Sequence, residues 1–194
     1  MTAALRAVPG GPGIDVDGAE RAAAALLTAL GLDLADESLA ATPRRMARAY
    51  AELLTPREFA LTTFPNDEGY DELVLAKSIP FHSVCEHHLL PFAGVAHVGY
   101  LPGERILGLS KLARVVEMLS RAPQVQERLT KQIATWLDER LRPKGVGVVL
   151  EAEHACMTIR GVQARGSTTV TSALHGRLRD DPRSRSEFLD LVRS

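Results

Sequence analysis

The order of the predicted strands and helices constrains the fold of this chain more than any other feature of its sequence. Alternating apolar residues predict strands at Leu73–Ile79 and Gly94–Leu101, and two more are predicted at Val146–Glu153 and Ser167–Ala173. Two helices are predicted between the first pair of strands and the second. Because strands and helices do not alternate one by one, this order favours an α+β fold with a largely antiparallel sheet.

Both predicted helices have one apolar face. Ser110 can cap the first helix, and the second is predicted to begin at Pro123 and to continue to about Leu141. The apolar positions are Leu112, Val115, Val116 and Leu119 in the first helix and Val125, Leu129, Ile133, Trp136 and Leu137 in the second. A short helix at Ser184–Val192 is expected to close the chain.

The front of the chain has a different character. Residues 1–14 are rich in proline and glycine and are predicted to be a disordered tail. A helix from Asp17 to Leu30 can end at Gly31, and a second can begin with Thr42 as its N-cap and Pro43 at its first position. We therefore expect a helical arm at residues 15–62 and the main domain at residues 63–194.

The composition excludes several classes of protein. With 45% hydrophobic and 24% charged residues, the 194-residue chain resembles an ordinary globular protein and not a disordered chain, a collagen or a disulfide-rich miniprotein. No apolar run approaches about 18 residues, so no membrane span is expected. The Ala-rich stretch near the start follows Asp15, Asp17 and Glu20, whereas a signal peptide would have basic residues before it, which argues against secretion and favours a cytoplasmic protein. Residues 110–185 are basic but contain no dense Lys/Arg run, which favours a small anion over nucleic acid.

Two short segments combine cysteine with histidine. Cys85 and His88 form a Cys-x-x-His pair, and Cys156 follows His154 at the end of a predicted strand. Thiolate and imidazole suit zinc, and three protein ligands would leave a fourth position for water, as in catalytic zinc sites. His87 or His154 could instead be a fourth ligand of a structural site, so the sequence leaves both kinds of site open.

Other polar side chains are candidates for binding an anion or a base. Ser110, Lys111 and Arg114 place a hydroxyl and two cations at a predicted helix start, where free N–H groups favour an anion. The glycine spacing before them is that of a P-loop, but no lysine follows the second glycine directly, which excludes a Walker-type NTPase. A solvated basic surface remains the alternative.

Glu127 and Arg160 likewise have two interpretations each. The Glu127 carboxylate could accept two hydrogen bonds from an N–H pair such as that of guanine, or it could form an exposed ion pair with Lys131. The Arg160 guanidinium could bind a phosphate, or it could be an ordinary surface residue.

Taken together, these segments resemble the GTP cyclohydrolase I family. The resemblance runs from about Thr42 to the C-terminus. Its motifs, in order, are Ser83–His88, Gly108–Arg114, Arg121–Thr130, His154–Gly161 and Ser167–Ser172. It implies a zinc-dependent enzyme that opens the imidazole ring of GTP, releases formate and forms 7,8-dihydroneopterin triphosphate, the first step of tetrahydrofolate biosynthesis. It also implies the tunnelling fold, an antiparallel sheet with two helices on one face, and a toroidal homodecamer of two pentamers with active sites between subunits.

The resemblance also assigns roles to residues of this chain. The implied ligands of one Zn²⁺ per subunit are Cys85, His88 and Cys156. His154 and His87 are the implied catalytic residues, with His154 transferring protons near the imidazole ring. The implied substrate contacts are Glu127 and Gln126 for guanine, and Ser110, Lys111, Arg114, Arg160 and Arg45 for ribose and triphosphate.

Two rival interpretations predict different chemistry. Among other tunnelling-fold enzymes, the nitrile reductase of queuosine biosynthesis uses a nucleophilic cysteine without zinc, and pyruvoyl-tetrahydropterin synthase binds zinc through three histidines. The combination of Cys85, His88 and Cys156 favours the cyclohydrolase over both. A non-enzymatic oligomer stabilised by zinc would have a closed coordination shell and no turnover. A cytidine-type deaminase is excluded because its Pro-Cys-x-x-Cys segment is missing.

Overall fold

A computed structural model describes residues 13–194, which form two compact units, residues 13–56 and residues 57–194. Most of the predicted disordered tail, residues 1–12, lies outside the described residues. Within residues 13–194, no helix combines the length and the apolar character needed to cross a membrane.

The first unit is a pair of packed helices, α1 (Val16–Ala29) and α2 (Thr42–Leu53). The Asp15 side chain caps α1 by accepting a hydrogen bond from the Gly18 N–H, and Gly31 follows the helix with a φ of 84°. The prediction that Thr42 is an N-cap is wrong. Ala41 occupies the cap position and Thr42 is the first helical residue, so no side chain caps α2.

The second unit contains a five-stranded sheet and a separate two-stranded ribbon, as the α+β prediction requires. The strands are β1 (Thr63–Pro65), β2 (Val74–Cys85), β3 (Pro91–Leu101), β4 (Arg105–Leu107), β5 (Pro123–Gln124), β6 (Gly145–His154) and β7 (Thr169–Gly176). The ribbon pairs β1 with β4, and the large sheet has the order β5-β2-β3-β6-β7. All neighbours in the large sheet are antiparallel except β5 and β2, which are parallel.

Strand β2 is longer than predicted because it continues through a proline. We predicted that this strand ends at Ile79, immediately before Pro80, whereas β2 extends to Cys85. An irregularity between Ala76 and Ile79, where Ser78 has a φ of 54°, shifts the register with β3. Pro80 has no N–H to donate. A strand can contain proline at this position, because β5 pairs with the outer side of β2 only at the end of the strand.

The two long helices of this unit cover one face of the sheet. They are α3 (Ser110–Ser120) and α4 (Gln126–Leu141), and their apolar stripes pack against β2, β3 and β6 to form the main core. Leu112, Val115, Leu129 and Ile133 are completely buried there. The predicted stripes are therefore present, although Val125 lies just before α4.

The predicted start of each long helix is displaced. Leu109 occupies the N-cap position of α3, so Ser110 is its first residue and not its cap. Pro123 does not begin a helix: Pro123–Gln124 pairs with the end of β2 as β5, and α4 starts only at Gln126. The chain therefore passes along the sheet edge before it becomes helical.

The opposite face of the sheet is partly covered by the end of the chain. Two single-turn helices, α5 (Ala155–Thr158) and α6 (Arg177–Asp180), follow β6 and β7, and the closing helix is α7 (Pro182–Arg193). The Phe188 ring is completely buried and packs directly against Gly147, so a side chain at position 147 would collide with the ring. This second cluster fixes the ends of β6 and β7 that lie away from the cysteine–histidine segments.

Candidate active site and metal centre

Strand order brings the two cysteine–histidine segments to one end of the sheet. Both β2 and β6 pair antiparallel with β3, which lies between them. Strands β2 and β6 therefore run in the same direction and end at the same edge of the sheet, on either side of β3. Because β2 ends at Cys85 and β6 ends at His154, residues far apart in sequence meet beside the start of β3.

A tight turn after β2 holds Cys85 and His88 together. The Cys85 N–H donates to the Leu90 carbonyl, and the Cys85 carbonyl accepts from the Leu89 N–H at 2.8 Å. The Glu86 N–H donates to the Gln124 carbonyl and so ties the turn to β5. As a result, the Cys85 Sγ lies 3.9 Å from the His88 Nδ1.

Cys156 completes a three-residue cluster from the single turn of α5 that follows β6. One ligand atom from each of Cys85, His88 and Cys156 lies within 4.8 Å of the other two. Two thiols and one imidazole at these separations fit around a single zinc ion, given zinc–sulfur and zinc–nitrogen bonds of about 2.0–2.3 Å. The donor set and its spacing therefore suit zinc, and three protein ligands leave one position of a tetrahedral zinc ion for another ligand.

The environment of Cys156 also favours a cation in the cluster. Burial raises the pKa of the Cys156 thiol, and the neighbouring Cys85 raises it further, against a small opposing effect of Arg160. Two adjacent thiols do not readily ionise together, and a divalent cation between them removes that penalty because it binds the thiolates directly. The pair is thus better suited to holding a metal ion than to forming two free thiolates.

His87 is an exposed residue of the turn that lies near the cluster. Its Nδ1 lies 3.9 Å from the Cys85 Sγ, and its Nε2 lies 3.9 Å from a Glu86 carboxylate oxygen. Glu86 in turn forms an ion pair with Arg128 of α4. That pair lowers the pKa of Glu86, chiefly through the Arg128 hydrogen bond, and keeps a negative charge beside His87.

His154 is held from two sides. Its ring stacks on the buried Phe92 ring with centroids 4.5 Å apart and planes 6° from parallel, because these residues are paired across β3 and β6. Its Nε2 lies 2.7 Å from the Gln126 Oε1. Burial lowers the pKa of His154, and the nearby Glu127 carboxylate opposes that shift. The ring is therefore well oriented, and its burial favours the neutral form.

Gln126 and Glu127 are consecutive in α4 but face different surroundings. The Gln126 side chain is 2% exposed and is occupied by protein partners, so the guanine contact predicted for it stays a prediction. Glu127 is exposed, and no ion pair with Lys131 is present in the part of the chain that the structure describes. Glu127 therefore has a carboxylate available for a ligand on the same helical turn that orients His154.

The predicted phosphate-binding residues fall into two groups. Arg160 lies at the cluster, with its Nη1 3.4 Å from the His88 Nε2 and 3.3 Å from the Cys156 carbonyl oxygen. Ser110, Lys111 and Arg114 lie instead at the start of α3. The far end of α3 approaches the site, since the Ser83 hydroxyl donates to the Ser120 carbonyl at 2.7 Å. The remaining predicted residue, Arg45, is an exposed residue of α2 in the other unit.

Comparison with known proteins identifies the family. The family model described as GTP cyclohydrolase I matches residues 19–193. The chain belongs to the GTP cyclohydrolase I family. GTP cyclohydrolase 1 of Mycobacteroides abscessus is 52% identical over 198 residues, covering 98% of this chain and 96% of that protein. GTP cyclohydrolase 1 of Aquifex aeolicus is 49% identical over 180 residues, covering 93% and 98%.

A solved structure, the apo form of the archaeosine synthase QueF-Like, is a more distant match. It covers 54% of this chain and 93% of its own, with 19% identity and a TM-score of 0.43. The family assignment rests on the sequence matches. They confirm the resemblance, the hydrolase class and GTP cyclohydrolase I as the function of this chain.

Residues that orient the GTP cyclohydrolase I site were missed in the sequence. Phe92, which stacks on His154, is recognisable only once the β3–β6 register is known. The pairing of Arg128 with Glu86 joins α4 to the turn after β2 across 42 residues. The Cys-x-x-His spacing identified the cluster itself, but no local pattern marks the residues that support it.

Proposed function

We propose that this member of the GTP cyclohydrolase I family hydrolyses the imidazole ring of GTP. The products are formate and 7,8-dihydroneopterin triphosphate, and the reaction begins tetrahydrofolate biosynthesis. The observation that carries the proposal is the meeting of Cys85, His88 and Cys156 beside the oriented ring of His154. A ligand cluster with space for water, next to a positioned imidazole, is the arrangement that a metal-assisted hydrolysis needs.

The proposed cofactor is one Zn²⁺ per subunit, held by Cys85, His88 and Cys156. When bound, zinc supplies a water whose pKa is lowered to about 7, together with a positive charge that stabilises developing negative charge. The turn after β2 and the single turn of α5 would provide the ligands from two separate supports. The ligand geometry therefore depends on the β2–β3–β6 register.

His154 and His87 are the proposed proton-transfer residues. Ring opening requires protons to be delivered to ring nitrogens and removed from water, and histidine titrates near the working pH for both directions. His154 is oriented by Phe92 and Gln126, so it can hold one geometry through several transfers. His87 is exposed at the turn, where it can assist at the ring and the ribose.

Glu127 is the proposed guanine contact and Arg160 a proposed phosphate contact. A carboxylate accepts two parallel hydrogen bonds from the N1–H and the exocyclic amine of guanine, which adenine does not offer. Gln126, adjacent to Glu127, is proposed to belong to the same binding region. Ser110, Lys111, Arg114 and Arg45 are proposed to hold the ribose and triphosphate.

The position of the α3 start supports a site shared between subunits. Ser120 contacts Ser83, close to Cys85, whereas Ser110 lies ten residues back along α3, about 15 Å away at 1.5 Å per residue. The phosphate-binding residues of one chain are thus displaced along the helix from its own cluster. A neighbouring copy in the proposed homodecamer can bring its α3 start to this cluster.

The sheet edges and the thiols support two further parts of the proposal. Within residues 57–194, β7 pairs only with β6, and β5 covers only the last two residues of β2. Two such open edges can pair between copies and close a ring. The proposed location is the cytoplasm, where reducing conditions keep Cys85 and Cys156 available as metal ligands.

Incubation with GTP and, separately, with ATP tests the reaction and the base preference together. We expect formate and a pterin chromophore in equal amounts from GTP, and neither product from ATP, because adenine lacks the N–H pair that Glu127 would bind. The measurement is formate assay alongside pterin absorbance. Unchanged GTP after incubation with zinc-loaded enzyme would contradict the proposed function.

Replacing Glu127 with alanine should weaken GTP binding without unfolding the protein. We expect the KM for GTP to rise by roughly 10- to 100-fold, since charge-assisted hydrogen bonds contribute about 1.5–3 kcal/mol. The melting temperature should change little, because Glu127 is exposed. Glu139→Ala, another exposed glutamate of α4, is the matched control and should leave KM unaltered. An unaltered KM in Glu127→Ala would show that Glu127 does not bind guanine.

A further inference from the structure

We propose that Gln126 is a positioning residue that selects the tautomer of His154. Its side-chain amide holds the imidazole with a proton on Nε2, which leaves Nδ1 as the ring nitrogen that exchanges protons with the substrate. The second part rests on the proposed function, because it assigns the nitrogen that His154 would use in ring opening. The first part is a property of the folded protein.

The orientation of the Gln126 amide is fixed by its surroundings. Its Nε2 lies 3.1 Å from the Leu150 carbonyl oxygen and 2.9 Å from the Thr169 carbonyl oxygen. Both of these oxygens can only accept hydrogen bonds, so the amide atom that faces them must be the nitrogen. The amide oxygen is therefore the atom that faces His154.

That orientation decides which nitrogen of His154 carries the proton. The Gln126 Oε1 lies 2.7 Å from the His154 Nε2, and an amide oxygen can only accept. The Nε2 must therefore donate, and in a neutral imidazole the other nitrogen, Nδ1, then has a free lone pair.

A chain of hydroxyl groups supports the same orientation. The Thr130 hydroxyl donates to the Gln126 backbone carbonyl at 2.7 Å and lies 2.6 Å from the Thr171 hydroxyl. Since the single Thr130 proton is already used, Thr171 donates to Thr130 and faces the Gln126 Nε2, 3.1 Å away, as an acceptor. The Gln126 NH2 group has two hydrogens for the three oxygens around it, so two of these contacts share one N–H, and all three require the nitrogen on that side.

The Gln126 side chain that contacts His154 is also held in one orientation by its burial. Gln126 is 2% exposed, and Thr130 is 1% exposed. A buried amide with its partners in place is costly to reorient, because each lost hydrogen bond leaves an unsatisfied polar group. Phe92 fixes the plane of the His154 ring by stacking, and Gln126 fixes its rotation within that plane.

Nitrogen NMR of the zinc-loaded enzyme tests the tautomer directly. With ¹⁵N-labelled histidine at mildly alkaline pH, the His154 signals are those that disappear in His154→Asn. We expect a protonated Nε2 and an unprotonated Nδ1 in the native enzyme, and a loss of that preference in Gln126→Met. A proton on Nδ1 in the native enzyme would overturn the proposal, and so would an unaltered Nε2–H preference in Gln126→Met. The native result does not depend on whether Gln126→Met folds.

Steady-state kinetics separate positioning from substrate binding. In Gln126→Met we expect kcat to fall roughly 100-fold, within the range that a positioned proton-transfer group contributes, while the KM for GTP changes less than about threefold. The control is Ser184→Ala, since Ser184 is 8% exposed and its hydroxyl donates to the Asp181 carboxylate, away from the cluster. The control should lose some stability with its buried hydrogen bond and keep its kcat.

Each contrary outcome has a distinct meaning. A higher KM with an unaltered kcat in Gln126→Met would make Gln126 a substrate contact and overturn the positioning role. Equal loss of kcat in Gln126→Met and Ser184→Ala would make the effect one of stability and would equally overturn the positioning role. Absence of GTP turnover in the native enzyme would refute the proposed function, while the NMR result would still decide the tautomer.

Discussion

Replacing Cys156 with serine should abolish both zinc retention and turnover. Cys156 is one of three side chains whose ligand atoms lie within 4.8 Å of one another. A serine hydroxyl does not ionise near neutral pH and binds zinc far more weakly than a thiolate does. We expect metal analysis to find almost no zinc after gel filtration, and turnover to fall by more than about 100-fold, beyond what losing an outer support of a metal site costs.

The control for this change is Ala155→Ser, the adjacent residue of α5. It introduces the same hydroxyl into the same helical turn but removes no proposed ligand. We expect it to retain one zinc per chain and most of the turnover. Circular dichroism on both variants establishes that the fold is kept. A Cys156→Ser variant that is fully loaded with zinc and fully active would show that Cys156 is not a ligand.

Replacing His154 with alanine should separate metal binding from chemistry. His154 contacts Gln126 and Phe92 and is not one of the three clustered ligands, so zinc should remain bound. Turnover should fall by about 10²- to 10⁴-fold, the usual contribution of a positioned acid–base group. Zinc content and the rate of pterin formation are measured on the same preparation.

His175→Ala is the corresponding control for His154. His175 lies on β7, contacts Asp138 at 3.2 Å, and pairs with Val146 near the opposite end of β6 from the cluster. We expect its removal to affect stability modestly and turnover little. Loss of zinc in His154→Ala would make His154 a ligand, and turnover at the native rate would mean that His154 transfers no proton.

The sequence predicted the main elements of the fold because apolar periodicity records burial directly. The stripes of α3 and α4 and the strands of the large sheet are each visible as repeats of buried positions. The predicted ends of the helices were less accurate. Ser110 and Thr42 are good capping residues by type, yet each lies inside its helix, because the preceding backbone already turns.

Two strand errors share a cause in tertiary pairing. The strand predicted at Leu73–Ile79 stops before Pro80, but β2 continues through this proline because, within residues 13–194, β5 covers only the end of the outer side of β2. Pro123 was interpreted as a helix start, but Pro123–Gln124 pairs with Val84–Cys85. Neither edge position can be recognised from a local pattern.

For the candidate site, the sequence indicated the clustered cysteine and histidine residues better than the residues that orient them. Cys-x-x-His and a second cysteine indicated a metal, and the three residues do converge. The resemblance implies a guanine contact for Gln126, which stays a prediction, and the sequence did not show that α4 turns this side chain inward towards His154. Which way a helical residue faces within a partly polar segment is decided by packing, and here by the carbonyls of β6 and β7.

The most direct test of the account is to add zinc back to the metal-free enzyme while GTP turnover is measured. Chelator-treated protein should release neither formate nor pterin. The release of formate and the formation of pterin should return together, in proportion to added zinc, and reach a plateau at one zinc per chain. Turnover of GTP by metal-free protein, or bound zinc without any formate, would contradict the claim that Cys85, His88 and Cys156 hold the ion on which ring opening depends.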